Sequence, residues 1–171
     1  MIKNEHVRQL TLTALFTAMS CVVTMTVMLP SPTGGYINPG DAVVLLGAFL
    51  LGPKKGALAG GIGSALADLL AGYTLYVPAT LAIKMAMAFV AGSIVKKHGA
   101  NLRNVSISAA IGELIMVVGY FGYTAVFLDM GSGAFVEVPG NIVQGVFGAI
   151  ASVAMFSALI KIPYVRGLTR K

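Results

Sequence analysis

The sequence predicts an all-α integral membrane protein of six transmembrane helices with both termini cytoplasmic. Three observations carry that reading. First, 57% of the 171 residues are hydrophobic and only 11% are charged, against roughly 25% charged in a soluble domain. Too few charges remain to cover a water-exposed surface, which excludes a soluble enzyme or a cytosolic nucleic-acid binder in spite of the formal charge of +6. Second, the apolar residues gather into six segments separated by Pro- and Gly-rich or basic stretches. Third, the cations gather in every other stretch that flanks or joins those segments. The 21 glycines suit helices that pack closely in lipid, and the length fits one membrane domain over residues 1–171.

A helix needs about 20 apolar residues to cross the hydrocarbon core. Residues 9–29 meet that without a charge and stop at Pro30. The run is longer than the apolar core of a cleavable signal peptide, so a retained span is expected. Residues 31–40 (SPTGGYINPG) are a loop by turn chemistry. The second segment, 41–51, is short and needs tilting, a thinned bilayer or cover from neighbours. Gly52, Pro53, Lys54 and Lys55 end it, and 56–71 follows with Asp68 inside. Residues 72–78 (GYTLYVP) break the chain before the fourth segment, 79–95, which carries Lys84. A polar basic loop leads to 105–128, with Glu113 inside. The Gly-rich stretch 129–140 leads to the sixth segment, 141–160, closed by Lys161 and Pro163.

Orientation follows from the distribution of cations. Lys3, Arg8, Lys54, Lys55, Lys96, Lys97, Arg103, Lys161, Arg166, Arg170 and Lys171 make eleven of the twelve, and all fall on one side if every segment crosses. The opposite loops, 31–40, 72–78 and 129–140, hold no Lys or Arg. The positive charge is thus a signature of topology in a cell membrane.

Those opposite loops are rich instead in aromatic and hydrogen-bonding groups, among them Tyr36, Asn38, Tyr73, Tyr76, Asp129 and Glu137. Stacking faces with a few polar groups suit a small planar ligand, although Tyr73 and Tyr76 equally suit an interfacial aromatic belt. Within spans, Asp68, Lys84 and Glu113 each need a partner or a wet cavity. A hairpin through 72–78 brings Asp68 and Lys84 to similar depth, either as an ion pair locking two helices or as substrate contacts. Glu113, with Tyr120 seven residues on, lines an inward extension of the cavity or makes a packing contact. Asn141 and Gln144 share a helix face at the outer boundary, where Asn141 could also be a cap.

The run GALAGGIGSALAD (56–68) lacks the ending of a phosphate loop. Gly56, Gly60, Ser64 and Asp68 instead recur every four residues as a close-packing face, and Ala14 and Ala18 offer a similar one. No catalytic constellation is present: HExxH, GxSxG, CxxC and Walker A patterns are missing, His6 and His98 lie in polar segments, and a lone Cys21 permits no disulfide or cysteine-based zinc site. No cofactor or metal is therefore expected, and any ATP hydrolysis must come from elsewhere.

The stretch GGYINPGDAVVLLGAFLLGPKKGALAGGIGSALADLLAGYTLYVPATLAIK (34–84) resembles the S components of energy-coupling factor (ECF) vitamin transporters, in the riboflavin-transporter-like subgroup that includes hydroxymethylpyrimidine and pyridoxine carriers. Ala14 and Ala18 match the AxxxA motif by which such subunits dock on a transmembrane coupling subunit. The resemblance implies a six-helix membrane protein that captures a vitamin outside, with 31–40 as a lid. It implies partnership with a coupling (T) subunit and two ABC ATPases in a prokaryotic plasma membrane, and no nucleic acid. Hydroxymethylpyrimidine ranks first as ligand and pyridoxine second, because a small ring with hydroxymethyl groups suits Tyr faces with amide and carboxyl partners. Riboflavin ranks lower, since no Trp is present to cover its ring system. The substrate contacts expected are Tyr36, Asn38, Asp68, Tyr73, Tyr76, Lys84, Glu113, Tyr120, Asn141 and Gln144. The rival classes are a stand-alone channel or facilitator, whose polar residues would repeat through the full membrane depth, and an intramembrane enzyme, which would need a nucleophile and base.

Overall fold

The computed structural model describes residues 5–169; of the topology-setting cations, Lys3, Arg170 and Lys171 lie outside that range. Seven α-helices account for most of the described residues: α1 (Glu5–Thr26), α2 (Asp41–Leu51), α3 (Pro53–Leu70), α4 (Val77–His98), α5 (Leu102–Gly122), α6 (Val138–Leu159) and the short α7 (Pro163–Leu168). Four helical stretches, Glu5–Thr26, Val77–His98, Leu102–Phe127 and Gly131–Leu159, are long and apolar enough to cross a membrane.

The segments expected from hydropathy correspond to α1–α6, with shifted ends. α1 stops at Thr26, and apolar Leu29 and Pro30 form a strand, β1, that pairs antiparallel with β2 (Tyr36–Ile37). Apolarity alone does not hold a helix together there, because Pro30 has no N–H to continue it. The 31–40 loop is thus a pinned hairpin. Likewise 129–140 is helical for much of its length, as a 3-10 turn over Gly131–Glu137 that runs into α6 with Pro139 in the first turn. α5 ends in a π-helical turn, Tyr123–Phe127.

The short second segment is explained by cover. α2 packs against α1, α3, α4 and α6, and ten of its eleven residues are buried. Around it lies the core, with Val44, Leu45 and Phe49 from α2 meeting Met87 and Ala91 from α4, Val105 and Ala109 from α5, and Phe156 from α6. Gly52, at φ 78°, turns the chain from α2 into α3 through a left-handed backbone that a side chain would strain, and Pro53 starts α3 with φ already fixed. Four residues on, a Cβ on Gly56 would sit 2.5 Å from the Ala48 Cα; only glycine lets α3 lie this close to α2. Asn101 caps α5 by accepting from the Asn104 N–H at 2.9 Å.

Arg8, Lys54, Lys55 and Lys96 gather around one groove with Leu12, Phe49 and Leu168. That groove sits at the starts of α1 and α3 and the end of α4. The remaining ends of those helices enclose the polar cavity.

Candidate functional site

The cavity lies where the end of α1 (Thr24), the last turns of α3 (Ser64, Asp68), the start of α4 (Tyr76, Thr80, Lys84), Tyr120 of α5 and the start of α6 (Glu137, Asn141, Gln144) converge. Ser31, Gly35, Tyr36 and Asn38 of the β1–β2 hairpin cover it. In this hairpin-bonded form its free interior is small, about 30 Å³, and the wider space of about 470 Å³ includes the open solvent at its mouth.

Hydrogen bonds to different elements pin the hairpin. The Tyr36 hydroxyl donates to Asp68 Oδ1 on α3 at 2.5 Å. Thr33 Oγ1 donates to Glu137 Oε2 at 2.7 Å, and the Tyr76 hydroxyl donates to the Thr33 carbonyl at 2.9 Å. The Asn38 N–H donates to Gln144 Oε1 on α6 at 2.8 Å. Burial, reinforced by the Asp68 carboxylate, pushes the Tyr36 hydroxyl above its ordinary range, so it stays a proton donor. Burial likewise raises Tyr76. The Tyr36 ring also stacks obliquely on Tyr73, with centroids 4.5 Å apart.

The floor is an ion-pair network. Lys84, 2% exposed, donates to Asp41 Oδ1 at the head of α2. Gln144 Nε2 donates to Asp41 Oδ2 at 2.6 Å. The Lys84 ammonium also stands 5.4 Å from the Tyr120 ring centroid, and the Tyr120 and Thr80 hydroxyls are 2.9 Å apart. Two buried charges are tolerated because they pair with each other and each Asp41 oxygen meets a donor.

The structure therefore brings together Tyr36, Asn38, Asp68, Tyr76, Lys84, Tyr120, Asn141 and Gln144 on one cavity wall. Two expected residues fall elsewhere. Tyr73 stands behind Tyr36 as a stacking partner. Glu113 lies behind the floor, packed on Gly145 and Gly148 of α6, where Asp41 also abuts Gly148; neither Glu113 oxygen meets a hydrogen-bond partner among the described residues. The expected pairing of Asp68 with Lys84 is also corrected, since Lys84 takes Asp41 and Asp68 takes Tyr36. Sequence reasoning did not count Asp41 or Thr80 among the site residues, nor Ser64, and left Glu137 as a loop residue. Asp41 had a usable signal: an acid heading an entirely apolar 11-residue segment needs a buried partner.

The regular stripe on α3 divides between two tasks. Gly56 and Gly60 pack on Ala48 and Val44 of α2, whereas Ser64 and Asp68, one and two turns on, face the cavity. Ala14 and Ala18 are exposed on α1, whose buried residues are Phe16, Ser20 and Thr24. Among the described residues no cluster of three His, Cys, Asp or Glu side chains could hold a metal ion.

Comparison with known proteins agrees with the fold. The fold matches a crystal structure of the S component for biotin from an ECF-type ABC transporter, with a TM-score of 0.68 at 19% identity over 95% of each chain. The thiamine precursor transporter HmpT of Lactococcus lactis subsp. cremoris is 28% identical over 152 residues, covering 88% of this chain and 86% of that protein. An uncharacterized protein of Pyrococcus woesei is 39% identical over 130 residues, covering 75% and 86%. Residues 4–161 match the family described as ECF-type riboflavin transporter, S component. This chain belongs to that family of ECF transporter S components, and is an integral membrane subunit for vitamin uptake.

Proposed function

We propose that the chain captures a small vitamin or vitamin precursor, hydroxymethylpyrimidine first and pyridoxine second, for ATP-driven uptake. The observation that carries this reading is the hairpin-covered cavity at one end of the bundle, which joins Tyr36, Tyr76 and Tyr120 with amide and carboxyl groups. Such a lining suits a small ring bearing hydroxyl and amino substituents. The name of the relative that transports a thiamine precursor supports the first ranking. In this reading Tyr36, Asn38, Asp68, Tyr76, Lys84, Tyr120, Asn141 and Gln144 bound the ligand, Tyr73 buttresses Tyr36, and Glu113 acts from behind the floor.

The same reading has α1–α6 crossing the membrane, both termini and the Arg8, Lys54, Lys55 and Lys96 groove cytoplasmic, and the cavity outside. Ala14 and Ala18 then present a smooth face to a coupling subunit that brings two ATPases. Mass spectrometry of small molecules carried through purification tests the substrate, with an aminopyrimidine alcohol expected; retention of riboflavin would overturn the ranking. Purification from native membranes tests the assembly. Recovery without any ATPase or coupling partner would favour the stand-alone facilitator instead.

A further inference from the structure

Five buried polar atoms without a hydrogen-bond partner converge on the cavity: Thr24 Oγ1, Ser64 Oγ, Asp68 Oδ2, Glu137 Oε1 and Asn141 Nδ2. Asp68 is 3% exposed, Glu137 5% and Asn141 9%. A buried polar group without a partner is costly, so this set is a template for what belongs between them. Two of the five are carboxylate oxygens, and both are aimed. Tyr36 holds the other oxygen of Asp68, and Thr33 holds the other oxygen of Glu137, so the bonded hairpin leaves one buried acceptor on each unpaired at the cavity.

The charge balance sharpens the template. Lys84 is the one cation among the lining residues, and Asp41 already engages it. Asp68 and Glu137 therefore form no ion pair in the cavity wall. A ligand phosphate or carboxylate would meet two carboxylates with no free cation, which is an arrangement that rejects by repulsion. A ligand bearing N–H or O–H donors on two edges, with an acceptor for the Asn141 amide, would satisfy the free atoms.

We propose that Asp68 and Glu137 are specificity determinants that admit uncharged or cationic amino- and hydroxy-substituted heterocycles and reject their phosphate and carboxylate forms. The inference rests on the reading of this cavity as the vitamin site.

Equilibrium dialysis of the full chain in lipid nanodiscs tests it, using 4-amino-5-hydroxymethyl-2-methylpyrimidine and its monophosphate ester, pyridoxamine and its phosphate, and biotin. The free pyrimidine should bind about 100-fold more tightly than its ester. Asp68→Asn and Glu137→Gln keep the acceptors that Tyr36 and Thr33 use, and each should weaken the pyrimidine about tenfold while thermal melting stays unchanged. The double variant should also narrow the gap to the ester. Wild-type binding of the ester within tenfold of the alcohol would overturn the proposal, as would wild-type affinity in both single variants. If the pyrimidine fails while pyridoxamine still binds ahead of its phosphate and of biotin, the first-ranked substrate falls and the determinants stand. Preferential binding of biotin or of a phosphate, or no binding across the panel, sinks the determinants.

Discussion

α1 and α2 are both apolar helices, yet they live in opposite surroundings. α1 has 22 residues and buries only Phe16, Ser20 and Thr24, a stripe four residues apart. α2 has half that length and buries all but Leu51. In water the more apolar surface goes inside; in lipid both faces of a helix can be apolar, and hydrophobicity no longer sorts them. What sorts these two is polar anchoring and close approach. α2 begins with Asp41, fixed by Lys84 and Gln144, and receives α3 on Ala48 across Gly56. α1 keeps Ala14, Ala18 and Val22 turned outward.

Breaking the polar anchor of α2 should have the largest effect. Asp41→Ala strands the Lys84 ammonium in the bundle, and Lys84→Ala strands the Asp41 carboxylate. Each should cost about 3–5 kcal/mol of stability, read as a large fall in melting temperature. The double variant Asp41→Leu with Lys84→Met should recover most of that loss, because no buried charge remains. If the double variant melts as low as either single one, the pair is not what holds α2. Ligand affinity in the recovered double variant then reports on the pair and the Gln144 it holds, with a loss of tenfold or more, about 1.4 kcal/mol, expected if they shape the ligand's surroundings.

Close approach is tested next. Gly56→Ala places a methyl against the Ala48 backbone and should destabilise by about 1–3 kcal/mol through overpacking. The same change at Gly122, where nothing lies within 4 Å, should not, and equal losses at the two would remove the α2–α3 contact as the cause. The smallest effect belongs to α1. Leu15→Ala on its exposed side should shift stability by less than about 0.5 kcal/mol. Ala18→Trp should likewise leave melting and ligand binding alone while abolishing co-purification of the coupling subunit; a drop in melting instead would mean that this face packs inside the bundle.

The all-helical class was legible because turn and charge signals interrupt the apolar segments, and several residues that line the cavity stood out because polar groups are rare in so apolar a chain. Pairings were less legible. Asp68 and Lys84 are linked by a short turn and look like partners, but Lys84 reaches across 43 positions to Asp41. Local spacing cannot report which of several helix ends meet in space. The hairpin at Leu29–Ile37 was hidden for a related reason: two-residue strands leave almost no periodicity. Glu113 read as a cavity group from its helical relation to Tyr120, but it packs against Gly145 and Gly148 of α6 and is not among the lining residues.

The hairpin bonded through Tyr36, Thr33 and Asn38 has a kinetic consequence. Its contacts reach α3, the head of α4, the 3-10 turn and α6, so all of them are made only when these four ends are in register. Any tilt of one helix against the rest weakens several of those contacts together. For the vitamin site proposed above, residence time would then be governed by the bundle as a whole, and a partner that leans on one helix would shorten it without touching the occupant.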